Sequence, residues 1–215
     1  MPKQLKALVL GPFAVNCYLY WDGDSGDGVI IDPGADGDQI LAAVRSEGFK
    51  PRAILLTHGH IDHIAAVEQV KNSLKLPLYI GDGDQALLDD PMDNGSAFFG
   101  IPVSAPQPDR CLADEEVITF GTVSLRVLAT PGHSIGSVCY LDETAGNLFC
   151  GDALFAGSIG RTDLPGGSLE QLLKSIRAKI LGLPDSVVCY PGHGPSTTVG
   201  TERVSNPFLV GGAFA

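Results

Sequence analysis

Short apolar runs, separated by clusters of Gly, Asp and Pro, set the rhythm of this chain. LKALVL (5–10) and CYLYW (17–21) read as strands, and the turn DGDSGDG (22–28) leads into VIID (29–32), which predicts a meander. DQILAAVRSE (38–47) changes period: its apolar residues fall at helical spacing and Gly48 ends it. AILLT (53–57) is apolar throughout, the pattern of a strand buried on both faces. A helix over 63–74 and the short strand PLYIG (77–81) follow.

Residues 82–116 break the rhythm. They are rich in Asp, Gly and Pro, carry an aromatic island at Phe98 and Phe99, and leave room only for a short helix near 84–89. Such a stretch predicts an insertion that forms a lid or pocket wall. Strands resume with EVITF (116–120), VSLRVLAT (123–130), SVCYLD (137–142), NLFCG (147–151) and SVVCY (186–190). Between the last two the spacing predicts an amphipathic helix over 169–181, opened by Ser168 and Gln171 as an S-x-x-Q capping box. Two runs of strands, each closed by helices, predict an α/β chain of two packed sheets with helices outside, in a single domain over 1–215.

Composition narrows the classes. With 44% hydrophobic and 18% charged residues, a chain of 215 can bury a substantial core. No apolar run reaches the roughly 20 residues of a membrane span. The start, MPKQLKALVLGPF, lacks the apolar length and cleavage site of a signal peptide, so a soluble cytoplasmic protein with no membrane partner is expected. The net charge of −11 argues against nucleic acid, which needs a basic stripe, and bound dications would offset part of it. The five cysteines show no C-x-x-C spacing. Cys17, Cys139, Cys150 and Cys189 sit in strand-like runs and are expected as buried free thiols, with Cys111 exposed.

The chemistry gathers at strand ends. AILLT runs into His58, His60, Asp62 and His63; VLAT into Pro131-Gly132-His133; NLFC into Gly151-Asp152; SVVCY into Pro191-Gly192-His193. All five histidines fall in these four segments. Crowded imidazoles and carboxylates repel or desolvate one another unless a cation sits among them. A single P-G-H is merely a turn, but H-x-H-x-D-H joined to three further strand ends reads as a ligand set. It is all nitrogen and oxygen, which suits Zn²⁺, Fe or Mn and argues against a closed structural zinc site built with cysteine. Seven ligands exceed one tetrahedral ion and divide between two divalent ions. His58, His60 and His133 would hold one, Asp62, His63 and His193 the other, and Asp152 would bridge them. A water shared by two cations would ionise to hydroxide near neutral pH, with Asp62 placed to orient it as well as to bind metal.

In order and spacing, THGHIDH, PGHSIGS, GDALF and PGHGP resemble the motifs of the metallo-β-lactamase fold, and the chain looks most like single-domain hydrolases of the glyoxalase II (hydroxyacylglutathione hydrolase) type. The likeness extends to NCYL, the VIIDPG turn with Asp32, the loop GSIGRTDLPGGS and the tail ERVSNPFL. The resemblance implies a four-layer αββα sandwich with a binuclear centre at one edge between the sheets. It also implies that Asp32 braces the His loop and that Arg161 and Asp163 form a loop-fixing ion pair. The implied reaction is hydrolysis of a small-molecule S-acyl thioester of the S-lactoylglutathione type. Hydroxide held by the metals attacks, and the ion on His58, His60 and His133 polarises the carbonyl oxygen. Full-length glyoxalase II enzymes carry a helical C-terminal domain that supplies much of the glutathione site, whereas only about twenty residues follow His193 here. The resemblance therefore carries thioester hydrolysis further than glutathione recognition.

A persulfide dioxygenase on the same fold is the alternative, with one iron on His58, His133 and Asp152. As the family pattern goes, those enzymes follow GRTD with Phe-Gln and lack the PGHGP form; here Leu164-Pro165 and Gly194-Pro195 stand instead. Flavodiiron-type chemistry would require a ligand Glu where Gly59 stands. β-Lactam or nucleic-acid hydrolysis fits an acidic cytoplasmic chain poorly.

Overall fold

The computed structural model, which describes residues 2–210, pairs the early apolar runs into one sheet and the later ones into a second. In the first, β1 (Lys3–Leu10), β2 (Val15–Asp22), β3 (Asp27–Ile31), β4 (Lys50–Leu56), β5 (Leu78–Gly81) and β6 (Arg110–Leu112) lie side by side in chain order. The meander β1–β2–β3 is antiparallel, and β3 through β6 are parallel. The apolar end of β4, Ala53 to Leu56, is buried completely, as its unbroken apolar run predicts for a strand between two parallel neighbours.

The second sheet takes β7 (Val117–Phe120), β8 (Val123–Ala129), β9 (Val138–Asp142), β10 (Asn147–Gly151), β13 (Val188–Pro191) and β14 (Thr197–Thr198). A small hairpin, β11 (Leu154–Phe155) with β12 (Ser158–Ile159), stands apart. The helices are α1 (Gly37–Ser46), α2 (Ile61–Ile64), α3 (Val67–Leu74), α4 (Leu169–Ser175) and α5 (Val199–Ser205).

Three apolar clusters define the layers. One lies between the first sheet and α1 and α3, including Ile30, Ile40, Ile54 and Val67. One lies between the sheets, including Val29, Leu55, Val127 and Phe149. The third joins the second sheet to α4 and α5 through Leu148, Leu172, Ile176 and Val199. The result is the expected αββα sandwich. Three tyrosines in the middle layer each satisfy their hydroxyl on the opposite sheet, as buried phenols require. Tyr18 donates to Pro191 O (2.6 Å), Tyr20 to Asp142 Oδ2 (2.7 Å) and Tyr140 to Leu56 O (2.6 Å). These bonds fix the two sheets in register where the strand ends must converge.

Several elements differ from the sequence expectation. The helix expected over 63–74 is broken between α2 and α3. Ala66 N donates to Pro33 O (3.0 Å) instead of the carbonyl four residues back, and Gly34 packs so tightly on Asp62 O that a Cβ would collide with it. The helix expected over 169–181 is α4 followed by a π turn at Ile176–Ile180, beyond which Arg203 takes the carbonyls of Leu181 and Leu183. The capping box is half formed. Gln171 N donates to Ser168 Oγ (3.3 Å), but the Gln171 side chain turns to Ser175 Oγ (3.3 Å). The short helix near 84–89 is a 3₁₀ turn at Gln85–Leu88. β6, the β11–β12 hairpin, β14 and α5 escaped the pattern because each is too short or too polar to show a period. Cys111 is exposed and the other four thiols are buried, as expected. No helix among the described residues is long and apolar enough to cross a membrane.

Candidate metal centre

The ends of β4, β8, β10 and β13 deliver the four motif segments to one place. All seven candidate ligands meet there, in overlapping groups. His58, His60 and His133 form one, Asp62, His63 and His193 another, and His58, His63 and Asp152 link them, with ligand atoms in each group within 4.8 Å of one another. In the first group His133 Nε2 lies 2.9 Å from His60 Nδ1 and 3.1 Å from His58 Nε2. In the second, Asp62 Oδ2 lies 3.0 Å from His193 Nε2 and 3.8 Å from His63 Nε2. Asp152 stands between: Oδ2 is 3.7 Å from both His133 Nε2 and His193 Nε2, and Oδ1 is 3.4 Å from His63 Nε2. Two ligands on one tetrahedral zinc stand about 3.3 Å apart. The observed separations bracket that value.

The hydrogen bonds behind the rings fix which nitrogens face inward. Thr57 gives its hydroxyl proton to Asp32 Oδ2 (2.7 Å), so its oxygen accepts from His58 Nδ1 (3.1 Å). His133 Nδ1 donates to Arg161 O (2.8 Å) and His193 Nδ1 to Phe13 O (3.1 Å). His63 Nδ1 stands 3.0 Å from Asp32 Oδ2. A neutral imidazole whose Nδ1 carries the proton presents a bare lone pair at Nε2. His58 and His133 therefore aim two lone pairs at each other across 3.1 Å, an arrangement that calls for a cation. His60 Nε2, His63 Nε2 and Asp152 Oδ1 are buried with no hydrogen-bond partner, a costly state that metal ligation would relieve at the inward atoms. The residues fit metal ions.

Electrostatics prepare that neutral state at His58 and His60. Burial first, then the neighbouring imidazoles, push His58 far below the ordinary histidine range and His60 down to about 3, so both stay neutral. Burial opposes ionisation of Asp62 and Asp152, yet His63 and His193 hold both carboxyls below the usual range. Burial also opposes charge on His63, but Asp32, Asp62 and Asp152 together raise it.

Supporting residues come from several elements. Asp32 sits where the sequence places it, beneath the His loop, with φ of +51°. Arg161 and Asp163 form the expected ion pair, two hydrogen bonds of 2.8 Å each, on the surface. Two braces escaped sequence reasoning. Buried Asp84 accepts from Gly59 N (3.1 Å), Ser134 Oγ (2.6 Å) and Gly136 N (2.6 Å), and so ties the His58–His63 loop to the His133 loop. Nothing local separates it from the other acids of GDGDQ. Asn16 donates to Pro191 O (3.0 Å) and Gly194 O (2.9 Å), which holds the loop of His193. A polar Asn heading the apolar run CYLYW was the available signal.

Beside the centre opens a cavity of about 680 Å³, with His60, His133, Asp152 and His193 in its floor and Phe13, Phe98, Phe99, Phe155 and Leu164 among its walls. Four lining residues, Asn94, Gly95, Phe98 and Phe99, come from the 82–116 stretch.

Known proteins resemble this chain in sequence and in fold. The chain is 36% identical to the hydroxyacylglutathione hydrolase GloC of Haemophilus influenzae, over 92% of this chain and 93% of that one. It is 41% identical to a probable metallo-hydrolase, YqgX, of Bacillus subtilis, covering 96% and 97% of the two chains. Among solved structures, BLEG-1, a B3 metallo-β-lactamase, superposes with a TM-score of 0.93 at 43% identity, covering 97% of this chain and all of that one. TTHA1623, in a di-iron-bound form, superposes at 0.85 with 40% identity, covering 95% and 100%. Residues 10–193 match the family description itself, and the chain belongs to the metallo-beta-lactamase superfamily.

Proposed function

We propose that this chain is a binuclear metallohydrolase of S-acyl thioesters, of the S-lactoylglutathione type. The observation that carries it is Asp152, whose two oxygens reach toward ligands of both groups, so that two ions and one bridge use the whole set. The likeness to a hydroxyacylglutathione hydrolase supports the thioester assignment. Two bound divalent ions, zinc, iron or manganese, would acidify a shared water and polarise the substrate carbonyl.

The chain's own residues do the rest. His58, His60 and His133 would hold one ion, and Asp62, His63 and His193 the other. Asp62, kept ionised and partly open to the cavity, accepts a hydrogen bond from the attacking water and orients it. A thiolate leaves without much protonation, which accords with a cavity whose only Lys or Arg among the described residues, Arg161, is paired with Asp163. Asp32, Thr57, Phe13 O and Arg161 O keep the imidazoles aimed inward.

The test is to purify the protein without added metal, measure its metal content, and assay thioester hydrolysis beside oxygen consumption. Two ions and hydrolysis support the reading. One iron with oxygen uptake and no hydrolysis would make it a dioxygenase. The likeness to a B3 metallo-β-lactamase favours β-lactam hydrolysis as a second reading, and a chromogenic cephalosporin in the same assay decides between them.

A further inference from the structure

We propose that the cavity selects a substrate with an apolar arm, an acyl thioester carrying an aromatic or medium-length hydrocarbon group, rather than the charged tripeptide of glutathione. This rests on the thioester reading and names the substrate class within it. The aromatic walls are the first observation. Phe98 and Phe99 are 62% and 54% exposed and Phe13 37%, yet they face the mouth of one cavity, with Phe13 edge-on to Phe99 at 4.9 Å between ring centres. Scattered exposed aromatics carry no message, but several gathered at the rim of a site mark a surface that a ligand covers.

Rigidity is the second observation. Phe98 and Phe99 lie on a 3₁₀ turn, Ser96–Phe99, anchored by fully buried Asn94. The Asn94 side chain donates to Leu87 O (3.0 Å) and Val103 O (2.9 Å), and the Asn94 backbone carbonyl accepts from Ile61 N (2.9 Å). Ile61 lies between His60 and Asp62. The aromatic wall is thereby tied to the ligand loop itself, a fixed distance from the reacting atoms. The 82–116 stretch acts as a wall, not as a lid.

Charge is the third. Glutathione presents two carboxylates, while among the described residues Arg161 is the one Lys or Arg lining the cavity and both its Nε and Nη2 are given to Asp163. The floor contributes Asp62 and Asp152. Among the described residues the cavity lining offers a charged tripeptide no Lys or Arg beyond that paired Arg161, whereas each methylene buried against the phenylalanines gains roughly fourfold in affinity.

The test uses cobalt-loaded protein and three thiols that present the same metal-binding head: 2-mercaptoethanol, 2-phenylethanethiol and glutathione. Binding is read from the thiolate-to-cobalt absorption band, which does not depend on turnover. 2-Phenylethanethiol is expected to bind at least tenfold tighter than 2-mercaptoethanol, with glutathione within threefold of 2-mercaptoethanol. In the Phe98→Ala/Phe99→Ala variant the tenfold gap should fall below threefold, with cobalt content and 2-mercaptoethanol affinity unchanged. Phe13→Ala provides an independent variant and should narrow the gap in the same direction. Equal binding of the two small thiols, or tightest binding by glutathione, overturns the inference while leaving the metal site in place. Absence of any thiolate band overturns the proposed function and the inference together.

Discussion

Asp32 grips Thr57 with both carboxylate oxygens, Oδ1 accepting from the backbone N–H at 2.8 Å and Oδ2 from the hydroxyl at 2.7 Å. It does so from a left-handed backbone conformation that costs a non-glycine residue free energy. Thr57 in turn fixes His58, and the same Asp32 oxygen faces His63. One strained residue therefore orients an imidazole in each ligand group. Asp32→Asn leaves the size unchanged but weakens this hold. Metal affinity, measured by competition with a chromophoric chelator, should fall about 10- to 100-fold, the usual cost of losing such a partner.

Asp152→Ala removes the carboxylate that stands between the two ligand groups. Metal content and turnover should drop together, because on the proposed reading it is the ligand shared by both groups. Arg161→Ala should mainly raise KM or lower stability, since its side chain is exposed and only its backbone carbonyl touches His133. Elemental analysis beside steady-state kinetics checks both. Full metal content and near-normal rates in Asp152→Ala would refute the ligand assignment.

Gly192 gives a purely steric test. A Cβ there would run into Asp152 Oδ1 and stand 2.7 Å from His63 Cε1. Gly192→Ala must displace one or the other, so metal retention after dialysis should fall well below the unmodified protein's. Circular dichroism should still show a folded chain, because the clash lies in the site and not in the apolar core.

Tyr140→Phe probes the joint between the sheets. The variant keeps the ring in its apolar layer and deletes only the bond to Leu56 O, the carbonyl just before Thr57. Losing that bond should destabilise the chain by about 0.5–1.5 kcal/mol, measured by urea denaturation of the metal-free protein.

Much of this organisation was legible in the sequence, for reasons that differ by residue. His58, His60, Asp62 and His63 sit within six positions, and His133, Asp152 and His193 each follow an apolar strand, so local pattern alone flagged all seven. Long strands such as β4 and β8 announced themselves by apolar runs. Asp84 and Asn16 did not, because each acts on a partner far along the chain, Gly136 in one case and Pro191 in the other. The break between α2 and α3 was equally invisible, since it comes from Pro33 and Gly34 pressing on that helix from another segment. Residues 110–112, read as part of an insertion, pair with β5 and close the first sheet, a contact that three residues cannot signal by period.

The proposed thioester hydrolase needs two ions. Chelator-stripped protein should therefore be titrated with Zn²⁺ while the initial rates of hydrolysis of S-lactoylglutathione and of an S-phenylethyl thioester are recorded at each step. The rate should climb to its maximum at two equivalents per chain. A maximum already reached at one equivalent, or no hydrolysis of either thioester at any loading, would contradict the proposed function.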